Sequence, residues 1–402
     1  MSSSPFVSTR YAGAVIVLAL VLGGGAGQGI WTDHLLELSL IPALFFGIAG
    51  LRSNRLHNSS RIVAILIAAV VVLQFFPVVR GIPLTEEIRI GLLSPAPQKS
   101  LEAGLFTISC LGFFLYVALF DERQRFRLMP YFLVGLFIQA SVAIVQLSFS
   151  RSVTLTGVLP FEATTGLFAN ENHFSSLFFV MIPLLAYSLI LRRKSVLGYI
   201  SISLILIGIL FAVGSRAGMA ISSAIAIMAL LWFAPVGNKA IAKTGAVLLG
   251  VIGLVTALLL FGASSSLQSD QRWILFSTTW EAIRDHWLLG SGIGTFTLIY
   301  PSYEDTDQII SAYANHAHNE FLEIILELGL AGTILLVGYF VIAFRGAFRS
   351  GLSEAAFMSI LALSLHSVVD YPLRTMALAI TLAYLTALVL ADPDKAPNRS
   401  IE

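Results

Sequence analysis

The sequence predicts an all-α integral membrane protein, and three observations lead to that prediction. Apolar residues make up 57% of the 402 residues, whereas charged residues make up only 12%. In soluble domains, about a quarter of the residues are charged. The apolar residues are collected in runs long enough to span a bilayer, which takes about 20 residues each. Within lipid, runs of this kind can satisfy the hydrogen bonds of their backbone groups only by forming helices. These features exclude an ordinary soluble enzyme.

About twelve transmembrane helices are expected, in a single polytopic membrane domain that covers residues 1–402. The first apolar run, which contains Gly23, Gly24 and Gly25, resembles a signal peptide. We interpret it as a retained span because so many hydrophobic runs follow it. The predicted spans are 11–28, 35–51, 61–79, 101–120, 128–149, 173–191, 196–213, 217–234, 244–262, 320–343, 352–371 and 373–391.

The distribution of basic residues predicts the orientation. With the N-terminus inside, sixteen of the 24 Lys and Arg residues fall in inner segments and eight in outer ones. Such a bias over short loops predicts that both termini face the cytoplasm. Most links are short, but 80–100 and 263–319 are long. The loop 263–319, between the ninth and tenth spans, should therefore be extracytoplasmic, where it would form a large periplasmic loop.

Two polar clusters lie next to outer span ends. Asn170 and Asn172 open the sixth span, where helix capping is a sufficient explanation for asparagine. Arg216 lies in the tight link Gly214–Gly218 between two apolar runs. It is either a helix-end arginine that extends toward water or an anion-binding group, since its planar fork suits phosphate oxygens.

The long outer loop contains an amphipathic stretch followed by a glycine-rich run. Trp273, Trp280 and Trp287 recur with other apolar residues at helical spacing, which predicts a helix over Ile274–Trp287. That helix could lie on the membrane surface, or its aromatic residues could pack the loop onto the bundle. The run Gly290–Gly294 lacks the strand that precedes a nucleotide-binding loop, so we interpret it as a turn.

The end of this loop carries His316, His318 and Asn319, immediately before the tenth span. His318 could act as a general base, because a helix N-terminus disfavours the imidazolium and a neutral imidazole accepts protons. The alternative is that Asn319 caps the helix while the histidines form an interface. The spacing of the two histidines is poor for a metal on one helix face. The single cysteine, Cys110, offers neither a disulfide framework nor a Cys-based metal site.

The last polar cluster comprises His366, Asp370 and Arg374, each about one helical turn from the next. A structural ion pair is the favoured interpretation of this group. The formal net charge of +1 provides no reason to expect a nucleic-acid partner.

Several of these segments resemble the O-antigen ligase family, a superfamily of bacterial membrane glycosyltransferases that also contains O-antigen and exopolysaccharide polymerases. The similarity covers about half the chain and predicts a catalytic region over 166–374 that includes the loop 263–319. Two departures are Glu171 and Trp287, where many members have proline. The matching segments are Phe168–Phe174, Gly214–Gly218, Arg272–Trp273, His286–Phe296, His316–Gly332 and His366–Arg374.

The resemblance implies transfer of a glycan from undecaprenyl diphosphate to an acceptor hydroxyl, at the periplasmic face of the bacterial inner membrane. It makes His318 the expected catalytic base and places Arg216 and Arg272 at the diphosphate. It implies neither a metal nor another cofactor, because guanidinium groups can stabilise the charge of the leaving group. Further residues expected to bind substrate are His316, Asn319, Asn172 and Arg374.

Two acceptors are compatible with the resemblance. A ligase would use lipid A–core, and a polymerase would use a lipid-linked glycan. The long loop between spans nine and ten favours the ligase. A lipid-linked oligosaccharide flippase or other transporter is the more distant alternative. It would require charged residues in the middle of spans, whereas here the titratable groups lie at the outer ends.

Overall fold

A computed structural model of the protein describes residues 8–27, 29–53, 55–81, 88–149, 157–235, 268–305 and 314–391, with isolated positions between 241 and 248. The elements, in chain order, are α1 (Thr9–Leu22), α2 (Trp31–Arg52), α3 (Asn58–Leu73), β1 (Pro77–Gly81), β2 (Ile88–Leu92), α4 (Pro97–Ala118), α5 (Glu122–Phe126), α6 (Met129–Ser148), α7 (Glu171–Ala186), a π-helical turn (Tyr187–Arg192), α8 (Val196–Val213), α9 (Arg216–Phe233), α10 (Gln268–His286), α11 (Phe296–Ile299), α12 (Glu320–Ala347), α13 (Gly351–His366) and α14 (Met376–Leu390), with 3-10 turns at Tyr300–Ser302 and Pro372–Arg374.

The predicted helical architecture is confirmed in the described part of the chain. Seven of its helical segments are long and apolar enough to cross a membrane, and α1, α3, α13 and α14 are shorter apolar helices. Eleven of the twelve predicted spans coincide with these helices, while most of the predicted span 244–262 lies outside the described residues. The number of spans and their orientation remain predictions.

A short hairpin interrupts the helical pattern where the third predicted span was expected to continue to residue 79. The helix α3 ends at Leu73, and β1 pairs antiparallel with β2, with Pro77 opposite Leu92. Proline lacks a backbone N–H and disfavours a helical conformation in the residue before it. Pro77 therefore explains why the apolar run changes from helix to strand.

The helix α7 lies in the centre of the bundle. Its residues from His173 to Ala186 are all buried. Neighbouring helices approach it closely: the Ser359 hydroxyl of α13 donates to the Val180 carbonyl at 2.6 Å. A Cβ added at Gly218 of α9 would lie 2.4 Å from the Cβ of Ser175. Such close packing holds the α7 N-terminus, and the polar residues that begin it, in a fixed position.

The predicted helix in the long loop is confirmed as α10, but the packing of its tryptophans is not as expected. Leu275 and Ile283 are buried, whereas Trp273, Trp280 and Trp287 are 69%, 51% and 56% exposed. The prediction that the aromatic residues pack the loop onto the bundle is therefore wrong for these three. The shorter apolar side chains face inward, Trp273 and Trp280 occupy the opposite face of α10, and Trp287 follows the end of the helix.

The glycine-rich run after α10 docks into a kink of α12. Gly329 has φ 57° and ψ −138°, which breaks the helical geometry in the first half of α12. Backbone N–H groups of the run fill the gap: Ser291 donates to Leu326 at 2.9 Å and Gly292 donates to Glu327 at 2.9 Å. A Cβ at Gly290 would lie 2.3 Å from the Glu327 carbonyl oxygen. The glycines thus permit backbone-to-backbone contact, which fixes α10 against the start of α12.

Candidate active site

The histidine-containing segment is shaped by the cap of α12. The Asn319 side-chain oxygen accepts hydrogen bonds from the Phe321 and Leu322 N–H groups at 3.0 and 3.1 Å, so the predicted capping role is confirmed. The preceding residue, His318, has φ 51°. That left-handed conformation is unfavourable for a side chain with a Cβ and is concentrated at functional sites. The cap and the neighbouring contacts hold His318 in it.

Three histidines surround the buried carboxylate of Asp370. The Asp370 Oδ1 atom lies 3.3 Å from Nε2 of His173 and 3.9 Å from Nδ1 of His318. Its Oδ2 atom lies 3.7 Å from Nε2 of His366. The other ring nitrogen of His366, Nδ1, is 2.8 Å from the Ser176 hydroxyl. Residues from α7, the loop before α12 and the end of α13 therefore meet at one carboxylate.

Asp370 is ionised in this setting. Burial alone would raise its pKa, but the hydrogen bond with His173 opposes burial and is the main reason that the pKa stays well below its usual range. The side chain is 1% exposed. A permanent negative charge is thus maintained beside His318.

His318 itself is neutral near pH 7. Burial is the largest effect and lowers its pKa to about 4; the charge of Arg272 adds to the lowering, while Asp370 opposes it. The side chain remains 26% exposed, so a substrate group can reach it. An accessible neutral imidazole beside a carboxylate is suited to accept a proton.

Tyr371 orders the histidine rings. Its ring centroid lies 4.8 Å from that of His173, 4.5 Å from that of His316 and 4.7 Å from that of His318. The Asn315 side chain donates to the Tyr371 hydroxyl at 3.4 Å. Ring packing of this kind restricts the side-chain rotation of His318 but forms no hydrogen bond with its ring nitrogens.

His316 is held on both sides. Its Nδ1 atom lies 2.8 Å from Oε1 of Glu323, and its Nε2 atom lies 3.2 Å from the Ala26 carbonyl oxygen. Burial lowers its pKa, but the Glu323 carboxylate outweighs burial and leaves the pKa raised. The second Glu323 oxygen accepts from the Ala317 N–H at 2.9 Å. The pKa of His316 is therefore shifted in the opposite direction to that of His318.

Arg374 lies among three glutamates of α12. Its guanidinium nitrogens are 3.4 Å from Glu320, 3.2 Å from Glu323 and 3.3 Å from Glu327. Burial would lower the Arg374 pKa, but the three carboxylates raise it above its ordinary value. The favoured ion-pair interpretation of the last polar cluster holds for His366 and Asp370, whereas Arg374 pairs with the glutamates of α12 instead.

The remaining predicted site residues lie around this cluster. Asn172 accepts a hydrogen bond from the Ser215 hydroxyl at 3.2 Å, which joins the N-termini of α7 and α9. The next residue, Arg216, is exposed and forms no ion pair with the residues that the structure describes. Arg272 is half-buried on α10, and its charge acts on both His318 and His366. The helix starts of α7, α9 and α12 thus border one polar region.

A family profile described as O-antigen ligase matches residues 165–337. This part of the chain is an O-antigen ligase domain. The family match and the apolar helices together indicate a multi-pass membrane protein of surface polysaccharide biosynthesis. A search among curated proteins gives no match.

The O-antigen ligase domain, as matched, holds His173, Arg216, Arg272 and His318 but ends before Asp370 and Arg374. The sequence did not reveal the central position of Asp370, the ring packing by Tyr371 or the role of Glu323. One signal was available: Glu320, Glu323 and Glu327 recur at helical spacing beside an apolar span. Such a row requires a cation, and Arg374 supplies it.

Potential metal ligands are numerous in this region, but their arrangement differs from a metal site. No group of three or more His, Cys, Asp or Glu side chains among the described residues is placed so that it could hold a metal ion. The His173, His318 and His366 rings each lie within 4 Å of the Asp370 carboxylate, at 3.3, 3.9 and 3.7 Å.

Proposed function

We propose that the protein is a glycosyltransferase that moves a glycan from undecaprenyl diphosphate to an acceptor hydroxyl at the periplasmic face of the bacterial inner membrane. In this proposal it acts as an O-antigen ligase, with lipid A–core as the acceptor. The observation that carries the proposal is the accessible, neutral His318 beside the buried Asp370 carboxylate, in a chain with an O-antigen ligase domain.

His318 acts as the general base. Its Nδ1 atom faces Asp370, so Nε2 is the atom that accepts the proton of the acceptor hydroxyl. The hydroxyl oxygen then forms a bond to the anomeric carbon while the bond from that carbon to the diphosphate breaks, with inversion. The electron pair leaves with the undecaprenyl diphosphate. Asp370 stabilises the imidazolium formed in this step, and general base catalysis of this kind contributes about 10²–10⁴-fold.

Arg216 and Arg272 bind the diphosphate. Arg216 is exposed at the first turn of α9, where the helix N-terminus favours anions, and Gly214 leaves open space beside it. Arg272 is half-buried, and it lies close enough to His318 for its charge to lower the pKa of that histidine. Two guanidinium forks can stabilise the negative charge of the departing diphosphate without a metal ion.

Asn172, His316, Asn319 and Arg374 have supporting roles in this scheme. Asn172 ties the α9 start to α7, and Asn319 caps the helix that follows His318. His316 and Arg374 stabilise the acidic face of α12. They contribute to substrate binding by holding the two arginines and His318 in the correct relative positions. Displacement of a catalytic group by about 1 Å can greatly reduce the reaction rate.

A deletion strain tests the proposal. Loss of the gene should leave core-only lipopolysaccharide and polymer on undecaprenyl diphosphate, and plasmid-borne wild-type protein should restore the polymer on lipid A–core. Accumulation of single repeat units would instead identify a polymerase. Unchanged surface polysaccharide and unchanged lipid-linked intermediates in the deletion strain would refute both.

A further inference from the structure

A cavity lies next to the histidine-containing segment. It has a volume of about 340 Å³ and is bordered by α2, α3, α4, α12, α13 and α14. His316 and Arg374 line it, whereas His318 does not. The volume falls in the range of small-molecule and lipid-chain pockets. The cavity is therefore a separate space that shares a wall with the proposed active site.

Most of the cavity wall is apolar. The apolar lining includes Phe106 and Phe114 of α4, Tyr339 and Phe340 of α12, and Leu382 of α14. These side chains belong to helices that are apolar along their length. Such a lining favours a hydrocarbon chain over a sugar or a nucleotide.

The polar part of the cavity lining is acidic. It contains five carboxyl groups: Asp33, Glu37, Glu102, Glu320 and Glu327. The cationic groups there already have partners, because Arg374 pairs with three glutamates, His316 with Glu323, and His34 with Glu37. Carboxyl groups therefore outnumber cationic groups among the lining residues, which favours a cationic hydrogen-bond donor on any occupant.

Asp33 provides an independent indication of a ligand. It is 3% exposed, and its Oδ1 atom has no hydrogen-bond partner among the described residues. A buried carboxyl oxygen without a hydrogen-bond donor is costly unless a ligand supplies one. The Glu102 carboxyl group lies close to Gly29, where an added Cβ would be 3.1 Å from it. The backbone turn at Gly29, with φ +69°, thus leaves room for a second carboxylate in the cavity lining.

We propose that this cavity binds a phospholipid with an ammonium headgroup, whose ammonium pairs with Asp33 and Glu102 and whose acyl chain fills the apolar part. Phosphatidylethanolamine has this chemistry. The bound lipid would contact His316 and so stabilise the segment that carries His318. The proposal concerns a lipid that is not consumed, and it does not depend on which glycan the enzyme transfers.

Binding to the purified full-length protein tests the proposal. Native mass spectrometry, with thermal unfolding in parallel, would compare dioleoylphosphatidylethanolamine with dioleoylphosphatidylglycerol. We expect the ethanolamine lipid to bind more tightly and to raise the midpoint of unfolding. Asp33→Asn should weaken its binding about tenfold, the size expected for one charge-assisted hydrogen bond. Glu102→Gln is the second variant, and it serves alone if Asp33→Asn does not fold.

The matched control is Glu281→Gln, which removes an exposed carboxylate on α10, away from the cavity lining. It should bind the ethanolamine lipid as the parent does. Equal or tighter binding of the glycerol lipid would overturn the proposal, as would unchanged binding by folded Asp33→Asn and Glu102→Gln. Glycan transfer is measured separately in the deletion strain, so failure of the lipid site and failure of the glycosyltransferase assignment give different results.

Discussion

The Nδ1 atom of His318 lies 3.9 Å from the Oδ1 atom of Asp370. This distance is longer than a hydrogen bond, yet the carboxylate is the nearest charged group of opposite sign to the ring. Catalytic contacts are often long in the absence of substrate and shorten when it binds. The pair is therefore suited to form its hydrogen bond as His318 becomes protonated during transfer.

His318→Asn should reduce transfer by about 10²–10⁴-fold, because the general base is lost. Asparagine tolerates the left-handed backbone that His318 adopts, so folding should be preserved. The measurement is transfer of glycan from lipid-linked donor in vesicles, with thermal unfolding of each variant. His286→Ala, at the end of α10, is the control and should retain activity. Full activity of His318→Asn would exclude His318 as the base.

The pH dependence should follow the lowered pKa of His318. With a pKa of about 4, the ring is neutral at pH 7 and becomes protonated only as pH falls through that value. kcat/KM should thus be insensitive to His318 titration from pH 8 to about 5 and should fall near pH 4. Arg272→Gln removes a positive charge that lowers this pKa, so the acidic limb should move to higher pH. Arg284→Gln, which changes an exposed arginine on the same helix, is the control. If the acidic limb of the pH profile does not move in Arg272→Gln, His318 is not the group that titrates there.

Arg216→Lys should impair transfer by about tenfold or more. It keeps the positive charge but replaces the planar fork by a point charge, which does not bind a phosphate with two parallel hydrogen bonds. Because Arg216 is exposed, folding should be unaffected. Arg284→Lys, an exposed arginine on α10, should be neutral. Normal kcat and KM of Arg216→Lys would indicate that Arg216 serves only as a helix-end anchor.

Gly290→Ala should destabilise the fold by about 1–3 kcal/mol, because a Cβ there meets the Glu327 carbonyl and φ is +76°. The same change at Gly338, where a Cβ would meet nothing within 4 Å, should be neutral or slightly stabilising in the helix interior. Thermal unfolding in detergent compares the two. Equal midpoints would show that the glycine-rich run is not tightly docked to α12.

Arg374→Gln should destabilise the protein by about 3–5 kcal/mol, as expected when one partner of a buried ion network is removed. Three carboxylates would lose their shared cation. Arg374→Lys should recover part of that stability. A variant that unfolds like the parent but no longer binds the lipid-linked donor would assign Arg374 to direct substrate contact instead.

Much of the fold was predictable because membrane crossing is a local property of the chain. An apolar run of sufficient length specifies a helix in lipid, whatever its neighbours are. The caps at Asn170 and Asn319 were predictable for the same reason, since each bonds an N–H group two or three residues away. The hairpin after Leu73 was missed because hydropathy alone does not distinguish a strand from the end of an apolar helix.

The site was only partly predictable. The resemblance singled out His318, Arg216 and Arg272, but the residues that determine the charge of His318 lie elsewhere in the chain. Asp370 was expected to form an ion pair with its sequence neighbours; it does lie beside His366, but it also contacts His173 of α7, which the sequence did not reveal. Spacing along one helix could not reveal a contact between elements far apart in sequence.

The sequence by itself determined the helical membrane architecture, the polar character of the long loop and the positions of the candidate base and arginines. Only the tertiary structure decided that the pKa of His316 is raised while that of His318 is lowered, because their partners come from other elements. His316 pairs with Glu323 of α12, and His318 is buried beside Asp370 under the positive charge of Arg272. Burial and Coulomb interactions depend on distance in space, and folding alone sets those distances.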